Sequence, residues 1–498
     1  MLIHPCFAVD QGTKLREIMD CSAGMLNPCH TSAEKMVLPS VDDILDFASR
    51  LQRSGITPLL AVADERSAFR NWPNDSPALH IAAVSDCPDP SPGHRGRRTR
   101  FFRDNALSFG DGSSVYGYNR VRVLITLFLV YEFFLPCWAY FDDSGMVFPE
   151  ALAPVGWHAF LRFHQALGVP IKGSPLDPAC CGSEQEKLRA PCSSGKFLGE
   201  VLGISQSPAS SSPTAERVSG CRRLIQEALT KRRITPASAS TLAGKLQFLA
   251  GSLYSRVGHS GLPPLFKRQS ESRDQLTPDI EAGLLWFLEV LDNVGPREWP
   301  LHRAGRAPWC IFGDASEPSS LGDFPRAGAI LQSPGGAQRF YFSACVPGSL
   351  LQAFQPRKKQ IAVLELLWAV VAVIVWFHFL SDAPVLIFED NVGAEKGLLK
   401  GMSKHQDINR LLSSFWCVAS SAHTLVWADR VSSSDNPADC LTKPGVDSSH
   451  LAGAEDISSM VVWSELFSAI KEILTTSHQP RWRQLRALSL FALPGRWQ

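Results

Sequence analysis

The stretch Trp138-Ala139-Tyr140-Phe141-Asp142-Asp143-Ser144-Gly145 constrains this chain more than any other. A nearly unbroken apolar run, Val123 to Tyr131, precedes it, and Met146, Val147 and Phe148 resume the apolar character after it. Apolar run, acidic pair with Ser-Gly, apolar run reads as a β-hairpin with carboxylates at its turn. Two adjacent aspartates repel each other and add nothing to a hydrophobic core. A solvated turn is one way to tolerate them; a divalent cation held by oxygen ligands is the other.

Composition sets the frame for that hairpin. At 498 residues the chain has material for several domains with large cores. Hydrophobic residues make up 45% and charged ones 19%, as in an ordered globular protein, and the net charge of +1 gives no global basic field. A nucleic-acid enzyme of this size would therefore confine its basic surface to one cleft. Thirteen cysteines are scattered without a Cys-x-x-Cys spacing, which argues for reduced thiols in an intracellular protein of the cytoplasm or nucleus. Met1 to Asp10 lacks a signal-peptide pattern. Leu366 to Leu380 is too short to span a membrane and is preceded by Glu365, so both apolar runs read as core elements and no membrane partner is expected.

Around Gln11-Gly12-Thr13, two apolar strands suggest an N-terminal hairpin that puts Lys14 and Arg16 on one strand face, where they could clamp a triphosphate. Ser40, with Asp43 three residues on, caps an amphipathic helix. Leu59 to Ala63 is a short buried strand that ends at Asp64. Ser85 to Arg100 reads as a basic surface loop, and Ser205 to Ser219 as a Ser/Pro/Ala linker. Helical patterns follow, one of them capped by Thr235. A second acidic series then appears. Asp314 ends an apolar strand, Glu365 sits in a long apolar helix, Asp390 ends a further strand, and Asp439 closes Asn436-Pro437-Ala438-Asp439. A lone Glu in an apolar helix is costly unless something pairs it. Glu389 and Asp435 fall outside this series.

Tyr140-Phe141-Asp142-Asp143 between apolar segments resembles the catalytic hairpin of reverse transcriptases. Lys14-Leu15-Arg16-Glu17-Ile18-Met19-Asp20 resembles their fingers strand, and Asp64 to Phe69 their first catalytic motif. Leu107-Ser108-Phe109-Gly110, with Ser where the family has Pro, resembles the segment under template and nucleotide; Lys196-Phe197-Leu198-Gly199 resembles the primer grip. The ordered second set resembles ribonuclease H of the kind joined to retrotransposon polymerases, of the DIRS or LTR type.

The resemblance implies an α/β (α+β) chain. A right-hand polymerase would place fingers and palm in residues 1–203 and a helical thumb and connection in 204–300. A ribonuclease H-like mixed-sheet domain would take 301–447, and 448–498 would form a tail without assigned chemistry. It implies RNA-directed DNA polymerase and ribonuclease H activities, each with two Mg²⁺ (or Mn²⁺). Asp64, Asp142 and Asp143 would hold one pair of ions; Asp314, Glu365, Asp390 and Asp439 would hold the other. Lys14 and Arg16 would bind the triphosphate and Phe69 would exclude a 2′-hydroxyl. Phe109, Gly110, Tyr140, Phe197, Leu198 and Gly199 would line the substrate. Primer-template, RNA–DNA hybrid and deoxynucleoside triphosphates would be the partners. A descendant that binds nucleic acid without catalysis is the alternative reading.

Overall fold

The computed structural model describes residues 2–10, 15–29, 31, 35–75, 77, 80–85, 99–177, 188–299, 306–317, 324–443, 445–476 and 482–493. The chain divides into two units, Met1–Ser210 and Ser211–Gln498. Its mixture of helices and mixed sheets is that of an α+β protein. The division falls a few residues beyond the expected edge at 203. Residues 204–300 and 301–447 do not separate, because Trp286 and Val290 of the helical segment lie in the same core as Ile311 and Leu364.

The first unit contains, in order, β1 (Leu2–Asp10), β2 (Leu15–Met19), α1 (Leu26–Cys29), α2 (Val41–Arg53), β3 (Pro58–Asp64), β4 (His80–Ser85) and β5 (Thr99–Arg103). It continues with α3 (Gly112–Tyr131), β6 (Cys137–Tyr140), β7 (Asp143–Pro149), α4 (Ala153–Ala166), β8 (Arg189–Cys192), β9 (Ser194–Phe197) and β10 (Glu200–Gly203). One sheet has the order β2-β1-β4-β5; the expected N-terminal hairpin is its β1–β2 pair. A second sheet, β6-β7-β3-β8, carries the aspartates. Ala61, Ala63, Met146 and Phe148 on one of its faces pack with Ile125 and Leu129 of α3 and Phe160 of α4. Ser40 N–H donates to Asp43 Oδ2 at 2.7 Å and opens α2, whose Ile44 and Leu45 are buried.

The apolar run 123–131 is the end of helix α3, not the first strand of the hairpin. Asp111 caps that helix by accepting from Ser113 N, and Ser114, Tyr118, Arg122, Ile125 and Leu129 give it a buried face at helical spacing. Val123, Leu124, Leu127 and Phe128 are exposed on it, so the run looks uniformly apolar without being buried throughout. The true partner strand is the short β6.

In the second unit the supposed linker holds a strand and a capped helix. β11 (Ala209–Pro213), at the division between units, pairs with β12 (Arg297–Trp299); α5 (Ala215–Lys231) starts at Thr214, whose side chain accepts from Arg217 N. Helices α6 (Pro236–Gly251), α7 (Pro263–Gln269) and α8 (Pro278–Asn293) share a core with α5 through Ile225, Leu246, Leu265 and Leu284. Thr235 does cap α6, accepting from Ser238 N at 3.2 Å.

Then come β13 (Trp309–Ala315), β14 (Arg326–Gln332), β15 (Arg339–Cys345), α9 (Gly348–Leu351), α10 (Ile361–Val375), α11 (Phe377–Leu380), β16 (Pro384–Glu389), α12 (Val392–Lys400), α13 (Gln406–Ser421) and β17 (Leu425–Arg430). β18 (Glu455–Asp456), α14 (Trp463–Thr475) and α15 (Trp482–Ala487) complete the unit. The sheet order is β17-β16-β13-β14-β15-β18, with β13–β14–β15 antiparallel and β13–β16–β17 parallel. The tail is structural: Trp482 stacks on Trp286, and Ile470 and Ile473 enter the main core. Helix α10 is buried along its length, and no helix among the described residues is long and apolar enough to cross a membrane.

Gly313 lets α10 approach the sheet closely. A Cβ there would lie 2.2 Å from the Trp368 ring. Gly313→Ala should therefore destabilise the second unit by about 1–3 kcal/mol, the usual cost of overpacking, read as a lowered denaturation midpoint for that unit.

Candidate metal centres

In the second unit the pleat sorts the acids. Phe312 and Phe388 lie opposite each other in the parallel β13–β16 pair and their rings stack at 4.6 Å, so they share a face. Two residues further on, Asp314 and Asp390 continue that face. Glu389 alternates to the side of Val385 and Ile387, which packs against α10, the helix that carries Glu365. Asp439 arrives through Asn436. The Asn436 amide donates to Gly313 O at 2.9 Å, while its oxygen accepts from Ala438 N at 3.1 Å. Asp439 opens a single 3₁₀ turn, Asp439–Leu441. That turn lies over Gly328, where a Cβ would meet Leu441 at 2.7 Å.

All four expected acids converge. Ligand atoms of Asp314, Asp390 and Asp439 lie within 4.8 Å of one another, and so do those of Glu365, Glu389 and Asp390. Asp390 belongs to both groups, and Glu389 enters the site although it stood outside the sequence series. Its signal was its place next to Asp390, where strand alternation sends it to the opposite face and towards α10. Trp368 orients Glu365 by donating its indole N–H at 2.9 Å. Lys443 bridges Asp314 at 3.2 Å and Asp439 at 2.9 Å, and the Thr442 hydroxyl donates to Asp314.

Burial pushes Asp314 from the ordinary 3.8 up to about 6; Asp439 adds to the shift, and Thr442 and Lys443 oppose it. Burial also holds Glu365 and Glu389 well above the usual range, with neighbouring carboxylates adding to it. Glu389 Oε2 and Asp439 Oδ1 are buried and find no hydrogen-bond partner among the described residues. An all-carboxylate donor set with such orphaned oxygens fits a hard divalent cation.

In the first unit Asp64 lies opposite Asp143 in the β3–β7 pair, so both project from one face. On that face Gly145 gives space: a Cβ there would meet Ile44 of α2 at 2.8 Å and Phe197 at 3.1 Å. β6 and β7 join through the two-residue turn Phe141–Asp142, with Phe141 at φ 50°. A non-glycine residue in the left-handed region marks stored strain of about 1–3 kcal/mol. Glu65 N–H donates to Asp142 O at 2.9 Å and fixes the turn to the end of β3. Asp64 is ion-paired with Lys172, and among the described residues the tight three-carboxylate groupings belong to the second unit alone. Asp64, Asp142 and Asp143 are thus adjacent through the backbone, without that tighter convergence of side chains.

Behind the hairpin lies a network not anticipated from the sequence. Arg122 is ion-paired with Glu65, donates from Nε to Phe141 O at 3.2 Å and from an Nη to Ser144 Oγ at 2.6 Å. The Tyr118 hydroxyl donates to Glu65 at 2.7 Å. Glu65 and Arg122 are 0% and 1% exposed, and burial raises the Glu65 pKa despite its partners. The only sequence signal for this pair was a charge on each of two apolar elements, which does not say that they meet.

The expected substrate residues divide. Phe69 stacks on Tyr118 at 4.6 Å and lies 5.0 Å from Phe109, while at Gly110, with φ 105°, a Cβ would collide with Met19 O. Ser108, where a proline was expected from the resemblance, uses the N–H that proline lacks to donate to Ser114 Oγ. Tyr140 meets Phe141 edge-on. Leu198 and Gly199, at φ 48° and 72°, form the β9–β10 turn, and Phe197 is buried against Gly145 of the β6–β7 hairpin. Arg16 lies opposite Val9 in β2; Lys14 and most of the expected basic loop lie outside the described residues.

Compared with models of protein families the chain finds no match, and no curated protein matches it.

Two outcomes are expected. Arg122→Met would leave Glu65 buried without its cation and should cost the first unit about 3–5 kcal/mol, measured by denaturant unfolding. Asp314, with a folded pKa of about 6 against 3.8, prefers to be protonated in the fold; its contribution is complete below pH about 3.8 and disappears as pH rises through about 6. The metal-free protein should lose stability across that window, on the order of 3 kcal/mol for this group, and added Mg²⁺ should cancel the loss in thermal melts.

Proposed function

We propose that the chain is a retroelement RNA-directed DNA polymerase with a ribonuclease H activity. The observation that carries this reading is the convergence of Asp314, Glu365, Asp390 and Asp439 from four separate segments into two groups that share Asp390. In the first unit the register of Asp64 with Asp143, and the strained Phe141 turn beside them, support the polymerase half.

In the ribonuclease centre the carboxylates of Asp314, Glu365, Asp390 and Asp439 would hold Mg²⁺ or Mn²⁺; in the polymerase centre those of Asp64, Asp142 and Asp143 would do so. Such ions, when bound, activate the attacking oxygen and neutralise charge on the leaving one. Trp368 keeps Glu365 pointed into the ribonuclease centre, and Asn436 ties the Asp439 turn to β13. Arg122 and Glu65 hold the polymerase hairpin from behind, so that Asp142 and Asp143 do not have to be ordered when substrate arrives. Phe69, braced by Tyr118 and Phe109, would lie under the sugar of the incoming deoxynucleotide. Primer-template and RNA–DNA hybrid would bind mainly through phosphates, with a strong salt dependence and little sequence preference.

The test uses two substrates with Mg²⁺. Extension of a primer on RNA should be present in the wild type and lost in Asp142→Asn/Asp143→Asn, a fall of at least about 10³-fold if the carboxylates carry the chemistry. RNA cleavage in a hybrid should survive that change and disappear in Asp314→Asn. Retained hybrid binding with neither activity would leave a protein that only binds nucleic acid.

A further inference from the structure

We propose that Glu389 is a metal ligand, so that Glu365, Glu389 and Asp390 hold a second divalent cation beside the one held by Asp314, Asp390 and Asp439. This deepens the ribonuclease reading and rests on it. Three observations carry it. The ligand atoms of Glu365, Glu389 and Asp390 lie within 4.8 Å of one another. Glu389 is 0% exposed and Glu365 2%, and neither makes an ion pair with a Lys, Arg or His among the described residues. Lys443, which reaches this acidic corner, is committed to Asp314 and Asp439. A fully buried carboxylate without a cation is costly to maintain.

A purely structural task for Glu389 accounts for half of its carboxylate. Oε1 accepts from Asn391 N at 3.2 Å, a contact that a neutral amide would make equally well. The start of α12 is already capped by Asn391 itself, whose side chain accepts from Gly393 N and Ala394 N. Oε2 is buried and has no hydrogen-bond partner among the described residues. Strand alternation places it on the α10 side of β16, towards Glu365. Asp390, the next residue, belongs to both carboxylate groups, and a shared carboxylate is the geometry by which two hard cations are held close together.

The experiment counts Mn²⁺ bound to the full chain near pH 7.5, by calorimetric titration and by the loss of the free-ion electron-spin resonance signal. The chain carries Asp64→Asn, Asp142→Asn and Asp143→Asn, so that the first unit does not contribute. Two ions are expected in this background and one after adding Glu389→Gln, with the affinity of the lost site falling at least tenfold, since even changes behind the ligands cost ~10–100-fold. Two ions with unchanged affinities in the Gln variant would overturn the role of Glu389 and leave the ribonuclease reading standing. One ion in the background would also overturn the second site, whereas no ion would remove both the site and the reading. Thermal melts without metal check that the Gln variant is folded. Glu389→Asp, which keeps the charge and shortens its reach, gives the independent arm: weaker binding at one site supports the proposal, and equal binding at both sites overturns it.

Discussion

Like charges brought to the ends of neighbouring strands have to be neutralised, and both units are arranged around that requirement. Two carboxylates at ~4 Å repel by about 4 kcal/mol even with an effective dielectric constant of about 20. The first unit limits the cost by spreading its acids over two strands and a turn, with Lys172 beside Asp64. The second unit gathers five into a largely buried corner, and among the described residues two of them, Glu365 and Glu389, have no basic partner. Such a concentration destabilises the empty fold, so the apolar mass of α10 and the sheet has to exceed what folding alone would need.

The surrounding packing is consistent with that load. Trp368 lies flat against Gly313 and reaches Glu365 with its indole N–H, so one side chain both closes the core and aims an acid. Asn436 performs the same double duty from the opposite direction, linking the Asp439 turn to Gly313 O. In the first unit Arg122 is the equivalent device: it balances Glu65 and at the same time holds Phe141 and Ser144. Single side chains that combine packing and orientation make these corners sensitive to substitution well away from the carboxylates.

The acids and the strands that end in them were legible in the sequence because both signals are local. Asp64 and Asp314 each follow a short apolar run, and the Ser40 and Thr235 caps depend on residues within three positions. What was not legible depends on distant partners. The run 123–131 is apolar on its exposed side as well, so hydrophobicity alone could not separate helix from strand. The stretch 205–219 lacks periodicity, yet β11 finds a neighbour in β12 and Thr214 starts a helix. Glu389 looked like a bystander to Asp390 because adjacent residues in a strand face opposite ways; only α10, which brings Glu365 to the far side, gives it company. The meeting of Glu65 with Arg122 is likewise set by tertiary packing.

The lysines at the two acidic corners carry a consequence of their own. Lys172 on Asp64, and Lys443 between Asp314 and Asp439, mean that each corner already owns a tethered monovalent counter-ion. A divalent cation entering such a corner would exchange with the ammonium rather than fill a void. Because Lys443 is 41% exposed, its side chain has solvent to swing into once displaced. Were such an ion removed again, the ammonium would return to Asp314 and Asp439, so that this pair of carboxylates would keep a counter-ion in both states.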